Sequence, residues 1–251
     1  RFNLPPLTPT VKWLLIANIG VFVVGWVTRG GNTLEQWFAV DPRSWSTVFQ
    51  LWRLISYQFL HGGFWHILLN MLGLYMFGVA LERRWGPRKF LAFYLICGAS
   101  GGLVYLTLVR SGFLGGGMMV GASGAIYGLL AACAVLFPHF IVVLFIFPMP
   151  IRVLAVLFAV MSFMAVVTRD VNAGGQAAHF TGMLVGGAYV LLLPKLDRFT
   201  LKMKTGSWEK KLEESRKLQI EVDRILAKVH REGLHSLTGA EKRILKRATQ
   251  E

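Results

Sequence analysis

A chain of 251 residues that is 54% hydrophobic and only 16% charged, with a mean hydropathy of +0.51, is too apolar for an ordinary soluble domain, so a polytopic membrane protein is expected. Its net charge of +14 does not point to nucleic acid, because fifteen of the 27 Lys and Arg follow Pro194 and others cluster in one short loop. That distribution fits topology determinants beside anionic lipid. Cys97 and Cys133 lie inside apolar runs without metal-ligand spacing, which makes them packing residues, and neither a metal nor a cofactor is expected.

The chain opens at Arg1 rather than Met, leaving room for natural sequence before it. A polar, proline-containing stretch to residue 10 precedes an apolar run over 11–27, long enough at about 1.5 Å per residue to cross most of a bilayer core. A signal peptide is the alternative, but no small-residue cleavage site follows and more spans come after, so the run reads as a first transmembrane helix. Residues 28–63 form a long connection carrying Trp37, Phe38, Trp45, Trp52, Tyr57 and Phe59 among few charges, which suits the headgroup layer. A second span over 64–81 stops at a turn, 82–89, whose Arg83, Arg84, Arg88 and Lys89 mark the cytoplasmic side.

A third span is expected over 90–109, a glycine-rich turn over 111–119 and a fourth span over 120–137, ended by Pro138. Residues 140–150, apolar but bracketed by prolines, cap the fourth span or rest at the interface. A fifth span over 151–167, a polar loop over 168–176 and a sixth span over 177–193 complete the membrane domain, 1–194. The basic tail, 195–251, keeps helical spacing at Leu218, Val222, Ile225 and Val229, and Thr238-Gly239-Ala240-Glu241 reads as a capping box before a last short helix with Ile244 and Leu245. The fold class is therefore an all-α membrane protein, a six-helix bundle with a short cytoplasmic helical tail. Six spans place both termini in the cytoplasm, and the second, fourth and sixth spans all start at the outer face.

His66, Asn70, Ser123 and His179 lie two to six residues into those three spans, about 3 to 9 Å below the outer rim at 1.5 Å per residue. Polar groups at that depth pair with one another or line a wet cavity. Singly, each has a bland reading: Ser123 as a packing serine, the histidines and Asn70 as helix-to-helix partners. Together they hold the parts of acyl transfer, with Ser123 as nucleophile and His179 as general base and then acid. His66 and Asn70, four apart on one helix face, and the Ser123 backbone N–H at a helix start are donors for an oxyanion. Gly124 with Gly128, and Gly182 with Gly186, form small faces that let the fourth and sixth spans approach closely, and Tyr127, one turn below Ser123, is placed to stack on His179. Asp170, in a loop nine residues before His179, is a disfavoured third member.

His66-x-x-x-Asn70, Gly121-x-Ser123-Gly124 with Tyr127, and Ala178-His179-x-x-Gly182-x-x-x-Gly186, in that order on the second, fourth and sixth spans, resemble the rhomboid intramembrane serine proteases. Trp52-Arg53 in the first loop is similar to that family's Trp-Arg pair, and Glu82 to a structural acid. The resemblance spans about residues 11 to 194. It implies a six-helix bundle, a Ser123–His179 dyad without an acid, an oxyanion hole from His66, Asn70 and the Ser123 amide, and hydrolysis of peptide bonds in or near the transmembrane helices of single-span or polytopic membrane proteins. The phenylalanine-rich start of the fifth span and the 168–176 loop are then gate and cap. The partners expected are those substrates and the lipid bilayer, with no nucleic acid and the oligomeric state open. The plain six-span form suits a bacterial cytoplasmic membrane. A transporter and a non-catalytic binder of membrane helices are the competing readings. The first is disfavoured because the lower halves of the spans are apolar, and the second is separated by labelling Ser123 with a serine-directed probe.

Overall fold

The computed structural model describes residues 5–28, 31–43, 49–144, 147–233 and 236–248. It divides into two compact units, Arg1–Leu192 and Leu193–Glu251.

The first unit opens with α1 (Pro9–Val27), whose proline occupies a position where its missing N–H costs nothing. The free amides of that first turn are met from far along the chain, because the Glu82 carboxylate accepts the N–H groups of Thr10 and Val11, each at 2.9 Å. A carboxylate at a helix N-terminus also meets the favourable end of the helix dipole. The connection that follows carries α2 (Gly31–Phe38) and α3 (Arg53–Ser56), then a 3-10 turn, Tyr57–Phe59. Next come α4 (Phe64–Gly73), a π turn over Leu74–Gly78, and α5 (Val79–Trp85), one apolar rod of 22 residues in all. Gly86, with φ of 78°, turns the chain into α6 (Pro87–Arg110). That backbone conformation favours glycine.

α7 (Ser123–Leu136) is the centre of the unit. Nine of its 14 residues are buried, and it packs against α4, the π turn, α6 and α8 (Ile151–Val167). Small residues make this possible, since its stretch Ser123-Gly124-Ala125 and Ala131-Ala132-Cys133-Ala134 lets neighbours come close where lipid offers no hydrophobic drive to associate. The peripheral helices instead turn large apolar side chains outward, Trp13, Ile16 and Val24 on α1 and Val156, Val160 and Met164 on α8, as a lipid-facing surface requires.

Among the described residues three helices are long and apolar enough to cross a membrane, Pro9–Val27, Phe64–Trp85 and Pro87–Arg110, and two shorter apolar helices, Ser123–Leu136 and Ile151–Val167, accompany them. The expected fifth span coincides with α8. α7 begins at Ser123, three residues after the start expected for the fourth span, and α9 (Ala173–Glu232) begins four residues before the expected sixth span, inside the stretch read as a polar loop. One amendment to the all-α expectation concerns residues 140–150. They contain an antiparallel hairpin, β1 (Ile141–Leu144) with β2 (Phe147–Pro150), because Val142, Val143 and their neighbours are β-formers and prolines exclude a helix there.

In the second unit α10 (Gly239–Ala248) begins with the expected reciprocal cap. The Thr238 N–H donates to Glu241 at 2.8 Å and the Glu241 N–H donates to the Thr238 hydroxyl at 3.3 Å. Lys228 reaches the same carboxylate at 3.1 Å, and Ile225 is fully buried.

Candidate active site

The long connection after α1 shapes the approach to Ser123. Arg53, 5% exposed, donates from its guanidinium to the carbonyls of Ala39 at 2.7 Å and Gln36 at 2.6 Å. These are the open carbonyls at the end of α2, where a cation is well placed. The Ser56 hydroxyl joins it on the Phe38 carbonyl at 2.8 Å, and the Trp52 indole N–H reaches the Trp37 carbonyl at 3.4 Å. Held this way, the connection pairs Val40 with Met119 through two backbone hydrogen bonds, and the Tyr57 carbonyl accepts the Gly121 N–H at 3.0 Å. The Tyr57 hydroxyl in turn donates to the Gly98 carbonyl of α6 at 2.6 Å. The segment leading into α7 is thus clamped from one side before Ser123 is reached.

Gly121 has φ of 123°, a conformation side chains rarely adopt, and any Cβ there would lie 2.7 Å from the His66 ring and 3.7 Å from the Ser123 Oγ. His66 and Ser123 therefore flank one glycine. Ser123 is the first residue of α7, so its N–H is one of the amides that lack an intrahelical partner. Its Oγ lies 2.6 Å from His179 Nε2. The imidazole of His179 stacks on Tyr127, with centroids 4.2 Å apart and planes at 17°, and Tyr127 stacks further on Phe158 of α8 at 5.5 Å.

Backbone proximity sets the serine-to-histidine distance. A Cβ on Gly182 would collide with the Gly124 carbonyl, one on Gly186 with the Gly128 carbonyl, and one on Gly128 would lie 3.0 Å from the Gly182 carbonyl. α7 and α9 thus touch main chain to main chain, a separation that only glycine permits.

All five residues singled out for chemistry line one cavity of about 1020 Å³: His66, Asn70, Ser123, Tyr127 and His179. Asn70 is buried and its amide donates to the His66 carbonyl at 3.0 Å, inside its own helix. Trp52, Arg53 and Glu82 stand outside this cavity lining. Asp170 does not join His179: its carboxylate accepts the N–H of Val171 at 2.7 Å, and His179 Nδ1 faces the Gln176 side-chain oxygen at 3.2 Å. Gln176 and His61 were not singled out from the sequence. His61 meets His66 edge to face at 5.1 Å, and burial, with the neighbouring His66, holds its imidazole well down, to about 4. The spacing that signals Gln176 is three residues before His179 on one helix face. Among the described residues no group of His, Cys, Asp and Glu is arranged to hold a metal.

Fold and cavity together define a helical membrane protein with a serine and a histidine in hydrogen-bond contact at the head of a central helix. The Rhomboid domain family matches residues 48–196, more than half of the chain, and the chain belongs to the rhomboid family. Residues 209–251 match a family of unknown function (DUF6576). Similar proteins include "Rhomboid protein 1, mitochondrial" of Saccharomyces cerevisiae, 34% identical over 188 residues, 70% of this chain and 51% of the relative. "Rhomboid-like protease 3" of Toxoplasma gondii is 29% identical over 186 residues, 72% of this chain and 68% of the relative. "Rhomboid protease GluP" of Bacillus subtilis is 35% identical over 127 residues, 49% of this chain and 24% of the relative. The chain spans about half the length of the yeast relative and about a quarter of an Arabidopsis one. With fungal, plant and bacterial proteins alike among these relatives, the bacterial cytoplasmic membrane expected from the sequence gains no particular support.

Proposed function

We propose that this chain is an intramembrane serine endopeptidase that hydrolyses peptide bonds in or near transmembrane helices of other membrane proteins. The observation that carries the proposal is the 2.6 Å contact between Ser123 Oγ and His179 Nε2 at the head of α7. As Oγ attacks the scissile carbonyl carbon, its proton passes to Nε2. Charge then builds on the carbonyl oxygen, and the Ser123 N–H with the side chains of His66 and Asn70 serves as its donor set. His179 returns the proton to the departing amine, leaving an ester on Ser123. A water molecule then gives a proton to Nε2 as its oxygen adds to the ester carbon, the bond from that carbon to Ser123 Oγ breaks to release the acid, and Nε2 returns the proton to Oγ. Tyr127 keeps the imidazole in plane for both halves. Arg53 and Trp52 serve through the loop they hold, and Glu82 through the start of α1.

The proposed topology has six spans: α1, α4 with α5, α6, α7, α8 and the first part of α9. Residues 1–194 are the membrane domain and 195–251 the basic cytoplasmic tail, with both termini on the side of the 82–89 cations. α7 has 14 residues and measures about 21 Å, against a hydrocarbon core of about 30 Å. A helix that short supports a Ser123 recessed below the outer face yet within reach of water. A substrate helix would enter on the flank where α4 and α8 both line the cavity.

The test is cleavage of a single-span substrate in liposomes by the wild type, Ser123→Ala and His179→Ala, together with fluorophosphonate labelling of Ser123. Cleavage and labelling are expected in the wild type, with turnover reduced by about 10³-fold or more in either variant. Wild-type protein that binds the substrate but neither cuts it nor takes the label would be a non-catalytic binder of membrane helices.

A further inference from the structure

The hydrogen-bonded contact between Ser123 and His179 continues beyond the imidazole. His179 Nδ1 lies 3.2 Å from Gln176 Oε1, and the Ser162 hydroxyl of α8 donates to that same oxygen at 2.8 Å. Ser162 interrupts an otherwise apolar helical stretch, and it is 1% exposed between Met161 at 57% and Phe163 at 49%. A serine in a membrane helix ordinarily satisfies its hydroxyl on its own backbone. This one instead points its proton at a side chain of another helix.

With the Gln176 side-chain oxygen turned toward both His179 and Ser162, the protons along this chain have one consistent arrangement. An amide oxygen only accepts, and its two lone pairs take two donors. Ser162 O–H supplies the first, and the second must be an Nδ1–H on His179. Nε2 then carries the lone pair and receives the Ser123 hydroxyl proton, as a general base must. In the opposite tautomer Nδ1 and Gln176 Oε1 would face each other lone pair to lone pair. A neutral amide achieves this orientation without placing a fixed charge within the membrane, where an unpaired carboxylate is costly.

We infer that Gln176 is the positioning residue of His179, holding it as the Nδ1–H tautomer with Nε2 toward Ser123, and that Ser162 on α8 fixes Gln176. The inference rests on the proposed dyad and deepens it. It also ties the orientation of the base to α8, the helix that forms one wall of the cavity.

The experiment compares full-length wild type with Gln176→Leu, Gln176→Glu, Ser162→Ala and the Ser162→Ala/Gln176→Leu double variant. Rates are measured against pH, and the ¹⁵N chemical shifts of His179 are recorded in labelled protein. Gln176→Leu is expected to lower kcat about tenfold with little change in KM, the equivalent of ~1.4 kcal/mol for one hydrogen bond, and to mix the two tautomers. Gln176→Glu restores an acceptor, so the Nδ1–H tautomer returns and the acid limb of the rate profile moves to higher pH, because a carboxylate favours the imidazolium. Ser162→Ala costs a few-fold alone and nothing further in the double variant. An unmixed Nδ1–H tautomer in folded Gln176→Leu protein would overturn the inference, as would an unmoved acid limb in Gln176→Glu or additive losses in the double variant. The ¹⁵N shifts report the tautomer whether or not the protein cleaves, so the absence of cleavage in the wild type would overturn the proposed activity alone.

Discussion

The two sides of Ser123 are built differently. Toward α9, glycine meets carbonyl: Gly124 and Gly128 on α7 face Gly182 and Gly186 with no side chain between them. Toward α4, the π turn and α8 the neighbours are larger side chains, with Leu69, Leu72, Met76, Leu154 and Phe158 around the cavity of about 1020 Å³. The glycine seam has almost no freedom, since a Cβ on Gly182 or Gly186 meets the main chain of α7, whereas the cavity wall can re-pack by rotamer changes. In the proposed enzyme the groups that exchange a proton stand on the rigid side and the incoming helix on the compliant one. Sub-ångström placement of reacting groups and tolerance of varied substrates are thereby served by separate surfaces.

The strongest way to break this contrast is Gly182→Leu. The added side chain must push α9 from α7, so Ser123 and His179 separate and cleavage is expected to vanish, with a thermal midpoint lowered by the equivalent of several kcal/mol, as for overpacking against an unyielding neighbour. Retained activity in a purified Gly182→Leu protein would show that the seam does not set the dyad distance. A smaller effect is expected on the compliant side. Leu72→Trp narrows the cavity while leaving the seam untouched, so KM for a helical substrate should rise severalfold with the rate of fluorophosphonate labelling near that of the wild type.

His61 sharpens the contrast by its pH dependence. Its imidazole is held down to about 4 by burial and the neighbouring His66, so between pH 6.5 and about 4 the unfolded chain binds a proton that the folded one refuses. Its contribution is therefore fully present above pH 6.5 and is lost as pH falls through that window. The thermal midpoint in detergent should drop on acidification from pH 7 to 4, and less steeply in His61→Asn. The smallest effect belongs to the tail. Hydrogen bonds from the Thr238 backbone and hydroxyl, with Lys228 beside them, hold the Glu241 carboxyl down to about 2. Thr238→Ala should raise the Glu241 titration midpoint by NMR, fray α10 and leave cleavage unchanged.

Much of this architecture was legible as sequence because it is written in local patterns. Apolar runs, cations at 82–89 and the composition change after Pro194 mark span and tail without reference to partners, and helical spacing alone puts His66 with Asn70 and Ser123 with Tyr127 on common faces. The hairpin was less legible, since short apolar stretches bracketed by prolines read alike as interface, cap or strand. Gln176 and Ser162 were not legible, because a glutamine in a polar loop and a serine in an apolar helix each look satisfied alone, and the hydrogen bond between them exists only once α8 and α9 pack. The clamp of residues 40, 57, 119 and 121 by backbone hydrogen bonds left no trace in side-chain pattern at all. What the sequence determined by itself was which polar residues fall in and beside apolar runs and at what helical phase. Tertiary structure alone decided that Ser123 and His179, 56 residues apart, stand 2.6 Å from each other. That distance follows from main chain resting on main chain at the glycine seam, a property of two helices in contact and of neither one alone.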